Sequence, residues 1–187
     1  MLRTIKKNSI LWSATAVFVA MALPAAAQDD GGTDFSREGP YLGLSGSFVG
    51  DLSTDNLRIS DTGGAEIRLG FRMVPEMALE IGGDWAHLSG RNPWSTFVAL
   101  KLYVMEIFDE ENQGGRVQPY FVSTAGIISG DLGKSKDPSA SFKLGLGLDY
   151  WITKDIAVVV QSAYNFNSGD ASRYQTVTGS LGVNWRF

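Results

Sequence analysis

The chain has 187 residues, with 16 Lys and Arg against 20 Asp and Glu, one His and no Cys. This acidic balance argues against nucleic-acid binding, which requires clustered positive charge. Without Cys the chain can form neither a disulfide nor a lipoprotein acylation site, and a single His argues against zinc. We expect no metal and no cofactor.

The first 27 residues are typical of a secretory signal peptide. Residues 1–8 are basic and contain no acid, and residues 10–23 are mostly apolar. Ala25 and Ala27 then form an Ala-x-Ala cleavage site. The alternative is an uncleaved inner-membrane anchor, for which the apolar run is short. The sequence therefore predicts an exported chain that begins after Ala27.

Residues 28–38 are polar and Gly-rich, and we expect them to form a flexible lead. From there the apolar pattern has a period of two, which indicates β-strands. Each predicted strand is roughly nine to fourteen residues long, closer to a tilted bilayer-spanning strand than to an ordinary one. The eight predicted strands are Tyr41–Val49, Gly64–Met73, Met77–Ala86, Trp94–Val104, Val117–Ile128, Ser141–Tyr150, Ile156–Phe166 and Tyr174–Phe187.

Long polar connectors alternate with short turns between these strands. Such alternation is typical of outer-membrane barrels, which have long loops on one side and tight turns on the other. One connector departs from the pattern, because Met105–Arg116 is long where a short turn is expected. Its acidic run is predicted to be a solvated turn.

The two faces of the strands differ in chemistry. One face is uniformly apolar and has aromatic residues near the strand ends, whereas the other is small or charged. A soluble, lipocalin-like barrel would place the apolar face inside, where eight strands leave little room for so many large rings. We therefore expect the apolar face to meet lipid and the polar face to line the lumen.

The polar face predicts an internal network of nine charged side chains. Buried charges need partners, and the near balance of signs indicates salt bridges. An ion path is the functional alternative to such a plugged lumen. The predicted network consists of Glu66, Arg68, Arg72, Glu80, Asp84, Lys101, Lys143, Asp149 and Arg186.

These features predict an all-β fold, an eight-stranded antiparallel up-and-down transmembrane β-barrel over residues 39–187. GLGLDYWITKDIAVVVQSAYNF, VQPYFVSTAGIISG and the terminal VNWRF resemble the OmpA-like, opacity-type family of small outer-membrane β-barrels. The resemblance implies a place in a Gram-negative outer membrane, among lipids that include lipopolysaccharide. It also implies periplasmic chaperones and an assembly machinery that reads the last strand, here Val183, Trp185 and Phe187. No peptidoglycan-binding domain follows Phe187 in this sequence, so tethering to the cell wall is not implied.

Other candidate sites are weak. His87 and Ser89 share a face and faintly resemble the His-x-Ser pair of outer-membrane lipid A deacylases, but no suitable acid follows them. Asp51, Asp55 and Asp61 lack the spacing of a calcium loop. Gly145 and Gly147 lie within a strand and are predicted to leave room for neighbouring lumen side chains.

Three functions remain open on the sequence. The first is a structural barrel that stabilises the envelope, and it is not an enzyme. The second is a surface adhesin or ligand-binding barrel whose outer loops contact an unidentified extracellular ligand. The third is a lipid-modifying hydrolase that uses His87 and Ser89.

Overall fold

Eight antiparallel strands form a closed barrel in the computed structural model, which describes residues 34–51, 63–87, 92–108, 114–130, 138–168 and 175–187. The strands are β1 Gly39–Asp51, β2 Gly63–Val74, β3 Met77–Ala86, β4 Trp94–Tyr103, β5 Val117–Ser129, β6 Ser139–Trp151, β7 Ile156–Asn167 and β8 Thr176–Arg186. Strands adjacent in sequence pair, and β1 also pairs with β8. The predicted fold class is confirmed.

The barrel has two ends of different construction. At the end called here the turn end, residues 34–38 and 187 lie beside the turns at residues 75–76 and 152–155. At the opposite end, called the loop end, the strands lead into segments 52–62, 88–91, 131–137 and 169–174, which lie outside the described residues. Four long connectors therefore lie at the loop end and two short turns lie at the turn end, which also holds the long connector between β4 and β5.

The connector after β4 differs from its prediction. The chain leaves the wall at Tyr103 and forms a five-residue helix, α1 Val104–Phe108, where the sequence predicted the end of a strand at Val104 and the start of a long connector. The acidic run at residues 109–111, predicted to be a solvated turn, lies outside the described residues. Glu106 of this helix is buried, with 2% exposure. Tertiary contacts with the barrel mouth explain the helix, because an isolated segment of five residues is too short to be helical in water.

Side chains alternate between the two faces of each strand, as pleating requires. In β4, Val98 is 50% exposed on the outer surface, whereas Lys101 is fully buried inside. The same contrast recurs around the wall: Phe71, Phe121 and Trp185 are all more than half exposed. The polar residues thus form the interior, and the apolar residues form the outer surface.

Candidate functional site: the lumen and the apolar wall

A buried lysine holds two carboxylates together inside the lumen, in the half nearer the turn end. The Nζ atom of Lys101 lies 3.1 Å from Glu80 Oε1 and 3.7 Å from Asp149 Oδ1. Tyr41 donates a hydrogen bond of 2.6 Å from its hydroxyl to Glu80, and Tyr103 donates one of 3.0 Å to Asp149. All five side chains are at least 97% buried. This set is called the central cluster below.

A third tyrosine packs against the central cluster. Lys101 Nζ lies 4.1 Å from the centre of the Tyr120 ring, within the range of a cation–π contact. The Tyr120 ring meets Tyr103 edge to face, with 5.7 Å between ring centres. Its hydroxyl donates to Gln161 Oε1 at 3.1 Å. Apolar ring surface therefore fills the space around the charges and excludes water from them.

Sequence reasoning missed these tyrosines, although the signal was present. Tyr41 shares the parity of Gly43, and Tyr103 shares that of Lys101, so strand alternation alone places both rings inside. The glycines make the rings fit. A Cβ atom on Gly70 would fall within the ring of Tyr41, and one on Gly147 would fall within that of Tyr120. Gly147 thus leaves room for a lumen side chain, as the sequence predicted.

Arg72 and Glu106 lie at the turn end of the lumen. The guanidinium of Arg72 donates to Gln118 Oε1 at 2.7 Å, stacks 3.9 Å from the Tyr103 ring centre and lies 3.7 Å from Glu106 Oε1. The same Glu106 oxygen accepts from the Gly114 amide at 3.0 Å. Glu106 is thus a further charged residue of the lumen, one that the strand pattern could not reveal because it comes from a helix.

The N-terminal lead is packed rather than flexible over residues 34–38. Phe35 is only 2% exposed and clusters with Trp151 and Ala157. Its amide donates to the Gly114 carbonyl at 3.0 Å, and its carbonyl accepts from the Arg186 guanidinium at 3.0 Å. Arg186 also stacks on Trp151 at 4.0 Å. The prediction of a flexible lead was therefore wrong for residues 34–38, and residues 28–33 lie outside the described residues.

The half of the lumen nearer the loop end is more open. Lys143 pairs with Asp84, and Arg68 Nε lies 3.1 Å from Glu66 Oε1. A cavity of about 60 Å³ lies beside these pairs, and most of the side chains that line it are polar or charged. That volume holds a few water molecules and is far below the several hundred Å³ typical of a small-molecule site.

The structure places all nine predicted lumen residues on the inner face. It brings Glu80, Lys101 and Asp149 into one cluster, and it pairs Glu66 with Arg68 and Asp84 with Lys143. Arg72 and Arg186 instead bind groups at the turn end. The nine charges therefore form separate layers along the barrel axis rather than one continuous network.

The outer surface is apolar over the height of the wall. Exposed aromatic residues lie near both ends, with Phe48 at 75% and Trp85 at 48% exposure near the loop end. Near the turn end, Trp185 is 56% exposed and Phe187 is 63% exposed. In water this much exposed apolar surface would be costly, whereas in a bilayer it is the expected pattern, with aromatic side chains at the interfaces.

Comparison with known proteins also indicates a membrane barrel. Residues 13–187 match a protein family described as the outer membrane protein beta-barrel domain. The chain belongs to this family. It is an integral β-barrel protein of the Gram-negative outer membrane, and its apolar wall contacts membrane lipid.

Two solved barrels share the fold. Neisserial surface protein A is 16% identical, with a TM-score of 0.60 over 79% of this chain and 97% of its own. The N-terminal β-barrel domain of OprF from Pseudomonas aeruginosa is 11% identical, with a TM-score of 0.56 over 81% of this chain and 100% of its own. No curated protein sequence is significantly similar to this chain.

The structure of this outer membrane protein gives little support to the remaining candidate sites. His87 follows β3 at the loop end, where its Nδ1 atom lies 2.8 Å from Asn92 Oδ1. Its proposed partner Ser89 lies outside the described residues, as do Asp55, Asp61 and the side chain of Asp51. The described residues contain no cluster of three His, Asp or Glu side chains that could hold a metal ion. No helix in the same residues is long and apolar enough to cross a membrane.

Proposed function

We propose that this protein is a structural, non-conducting barrel that stabilises the outer membrane. The observation that carries the proposal is the central cluster, in which Lys101 is buried between Glu80 and Asp149. Three tyrosine rings fill the lumen at the same level, and the segment around Phe35 fills the turn end. An ion crossing the barrel would have to break these pairs, and breaking a buried ion pair is costly.

The test combines conductance with stability. In planar bilayers the mature chain should give no regular current steps, and defined steps at low voltage would refute a closed lumen. Lys101→Met should lower the free energy of unfolding by about 3 kcal/mol, because it leaves two buried carboxylates without their cation. Lys101→Met combined with Glu80→Gln and Asp149→Asn should regain most of that loss. A Lys101→Met variant as stable as the parent would contradict the role of the cluster.

The proposal includes a route to the membrane. Residues 1–27 would direct export, with cleavage after Ala27, and periplasmic chaperones would hold the unfolded chain. Val183 and Trp185 lie on the outer face of β8 and Phe187 follows it, all exposed where the assembly machinery would read them before closure. The turn end would then face the periplasm, and the loop end would meet lipopolysaccharide and the surroundings.

Assembly can be separated from folding. Trp185→Ser with Phe187→Ser should sharply reduce the membrane-inserted protein in cells while the purified chain still refolds in detergent. Leu181→Ser, on the same face and 59% exposed, is the matched control. Equal insertion of both variants would show that the terminal aromatics are not a signal. N-terminal sequencing of the inserted protein should begin at Gln28.

Catalysis is not part of the proposed function. The argument rests on the absence of an acidic residue between Ser89 and Glu106 in the sequence, and on the exposed position of His87. Mass spectrometry of lipid A from cells that carry the parent or Ser89→Ala should give the same spectrum. A lipid A change that depends on Ser89 would restore the hydrolase alternative.

Binding through the outer loops is a second candidate. Its support is that four long polar connectors lie at the loop end. Shortening segments 52–62 and 131–137 should leave barrel assembly intact. Lost adhesion with preserved envelope integrity would favour binding, whereas preserved adhesion with a detergent-sensitive envelope would favour the structural role.

A further inference from the structure

Helix α1 has two faces of opposite character although it is one turn long. On the inner face, Glu106 is 2% exposed and contacts groups in the barrel mouth. On the outer face, Ile107 is 45% exposed and Phe108 is 79% exposed. Phe108 is more exposed than Trp185 or Phe187, and the described residues provide no protein surface that covers it.

This exposed face follows the apolar wall directly along the chain. Helix α1 follows directly on β4, whose Leu102 faces outward and pairs with the 54% exposed Phe121 of β5. A helix rises only about 1.5 Å per residue, so Phe108 lies within roughly 8 Å of the strand end. The interfacial zone of a bilayer is several ångströms thick on each side of the hydrocarbon. Phe108 can therefore reach the level of the lipid headgroups without leaving the barrel rim.

The charge pattern limits the depth of insertion. Asp109, Glu110 and Glu111 follow Phe108 directly in the sequence. A run of carboxylates is too costly to enter hydrocarbon and is repelled by anionic lipid. Two apolar residues next to an acidic run therefore favour shallow insertion among zwitterionic phospholipids.

We propose that Ile107 and Phe108 form an interfacial anchor that inserts into the phospholipid leaflet at the turn end. The proposal rests on the membrane location of the barrel and is independent of the closed lumen. The anchor and the mouth are coupled, because the same helical turn holds Glu106 over Arg72 and Gly114. Lipid on one face and the barrel mouth on the other together fix the connector.

The test uses the absence of Cys from the chain. A nitroxide is attached to single-Cys variants of the full mature protein in phosphatidylcholine nanodiscs, and its collision rates with oxygen and with a water-soluble nickel chelate are measured. Leu144→Cys, on the outer face in the middle of β6, reports hydrocarbon, and Lys154→Cys, in the exposed turn before β7, reports water. The oxygen-to-nickel ratio at Ile107→Cys should lie between these controls and several-fold above Lys154→Cys.

A second substitution isolates the contribution of the ring. Adding Phe108→Ser to the Ile107→Cys background should lower the ratio to near the value for Lys154→Cys, while heat-dependent gel migration shows that the barrel remains folded. A ratio at Ile107→Cys equal to that at Lys154→Cys would overturn the proposal. The proposal would also fail if the cysteine of Ile107→Cys were exposed to water in nanodiscs but protected from a maleimide in native outer membranes. That result would mean that a protein partner, rather than lipid, covers the helix.

Discussion

At the scale of single residues, the lumen depends on glycines that lie beneath tyrosine rings. Gly147 lies against Tyr120, where even a methyl group would have to displace the ring. Gly147→Ala should therefore lower the free energy of unfolding by roughly 1–3 kcal/mol, as overpacking does in other cores. Gly179→Ala is the matched control, because a Cβ atom there meets nothing within 4 Å. Urea unfolding in detergent micelles measures both, and equal stability of the two variants would contradict the packing argument.

The Glu106 carboxyl should make the stability of the barrel depend on pH. Burial raises the pKa of the Glu106 carboxyl above its ordinary value, and the Gly114 amide and Arg72 oppose the rise only in part. The folded protein therefore binds this proton more readily than the unfolded chain does. The contribution of Glu106 to stability is accordingly greatest below the ordinary Glu pKa of about 4.3, and it falls as pH rises through the raised value.

Glu106→Gln should remove this pH dependence and leave stability at neutral pH no lower than in the parent, because Gln can still accept from the Gly114 amide. Unfolding free energies measured from about pH 4 to about pH 8 provide the test. Glu38→Gln, at an exposed carboxylate in the lead, is the control. An unchanged pH slope in Glu106→Gln would show that another group is responsible.

Residue identity allowed prediction of the inner face but not of the partners on it. Alternation around Arg68, Lys101 and Asp149 follows directly from a period of two. Which carboxylate meets which cation depends on the stagger between strands that lie across the barrel, and no local pattern encodes that stagger. For the same reason Lys143 could be placed in the lumen, whereas its pairing with Asp84 on β3 could not be predicted.

At the scale of elements, the short segment before β1 is part of the barrel. Phe35 fills the mouth at the turn end, and Arg37 in the same segment only forms an exposed pair with Asp155 at 3.2 Å. Phe35→Ala should lower the free energy of unfolding by about 3 kcal/mol because it leaves a cavity. Arg37→Ala should cost less than about 1 kcal/mol, as exposed ion pairs do. Denaturant unfolding measures the free energies of both variants. A negligible effect of Phe35→Ala would show that the segment before β1 does not contribute to the stability of the barrel.

Two elements were not predicted from the sequence, and the reason is the same for both. Both the segment at residues 34–38 and helix α1 are too short for hydrophobic periodicity to be detected. Each is held by contacts with distant parts of the chain, such as the hydrogen bond from Arg186 to the Phe35 carbonyl. Gly114 links the two elements. Its φ of +72° lets the connector turn back, so that the Gly114 backbone binds both Phe35 and Glu106. Composition alone indicated polar coil at residues 28–38 and a solvated turn after β4.

At the scale of the whole molecule, the barrel should resist SDS until it is heated. The wall has all its strands paired, and in detergent its apolar surface is covered. Mature protein refolded in detergent should therefore migrate differently on an SDS gel before and after boiling. A chain that shows no shift in any detergent, and that folds in plain buffer, would mean that the apolar face lies inside.

Nearly all of the architecture could be predicted, because strand length, alternation and connector length each indicate the same barrel. The eight predicted strands agree with the observed ones to within a few residues. What the sequence could not provide is how the lumen is filled along its axis, from the more open half near the loop end to the packed half near the turn end. That gradient arises from side chains on all eight strands at once.

The pairing of β1 with β8 has a consequence for how the molecule forms. Tyr41 is aligned with Arg186, so the contact that closes the cylinder joins residues from opposite ends of the sequence. Contacts of such large sequence separation form slowly, since the entropy of the intervening chain must be given up first. Until then the growing sheet has two unpaired edges, each able to pair with another copy. The slow step of folding should be the meeting of these edges, and aggregation should compete with it most strongly just before the ring closes.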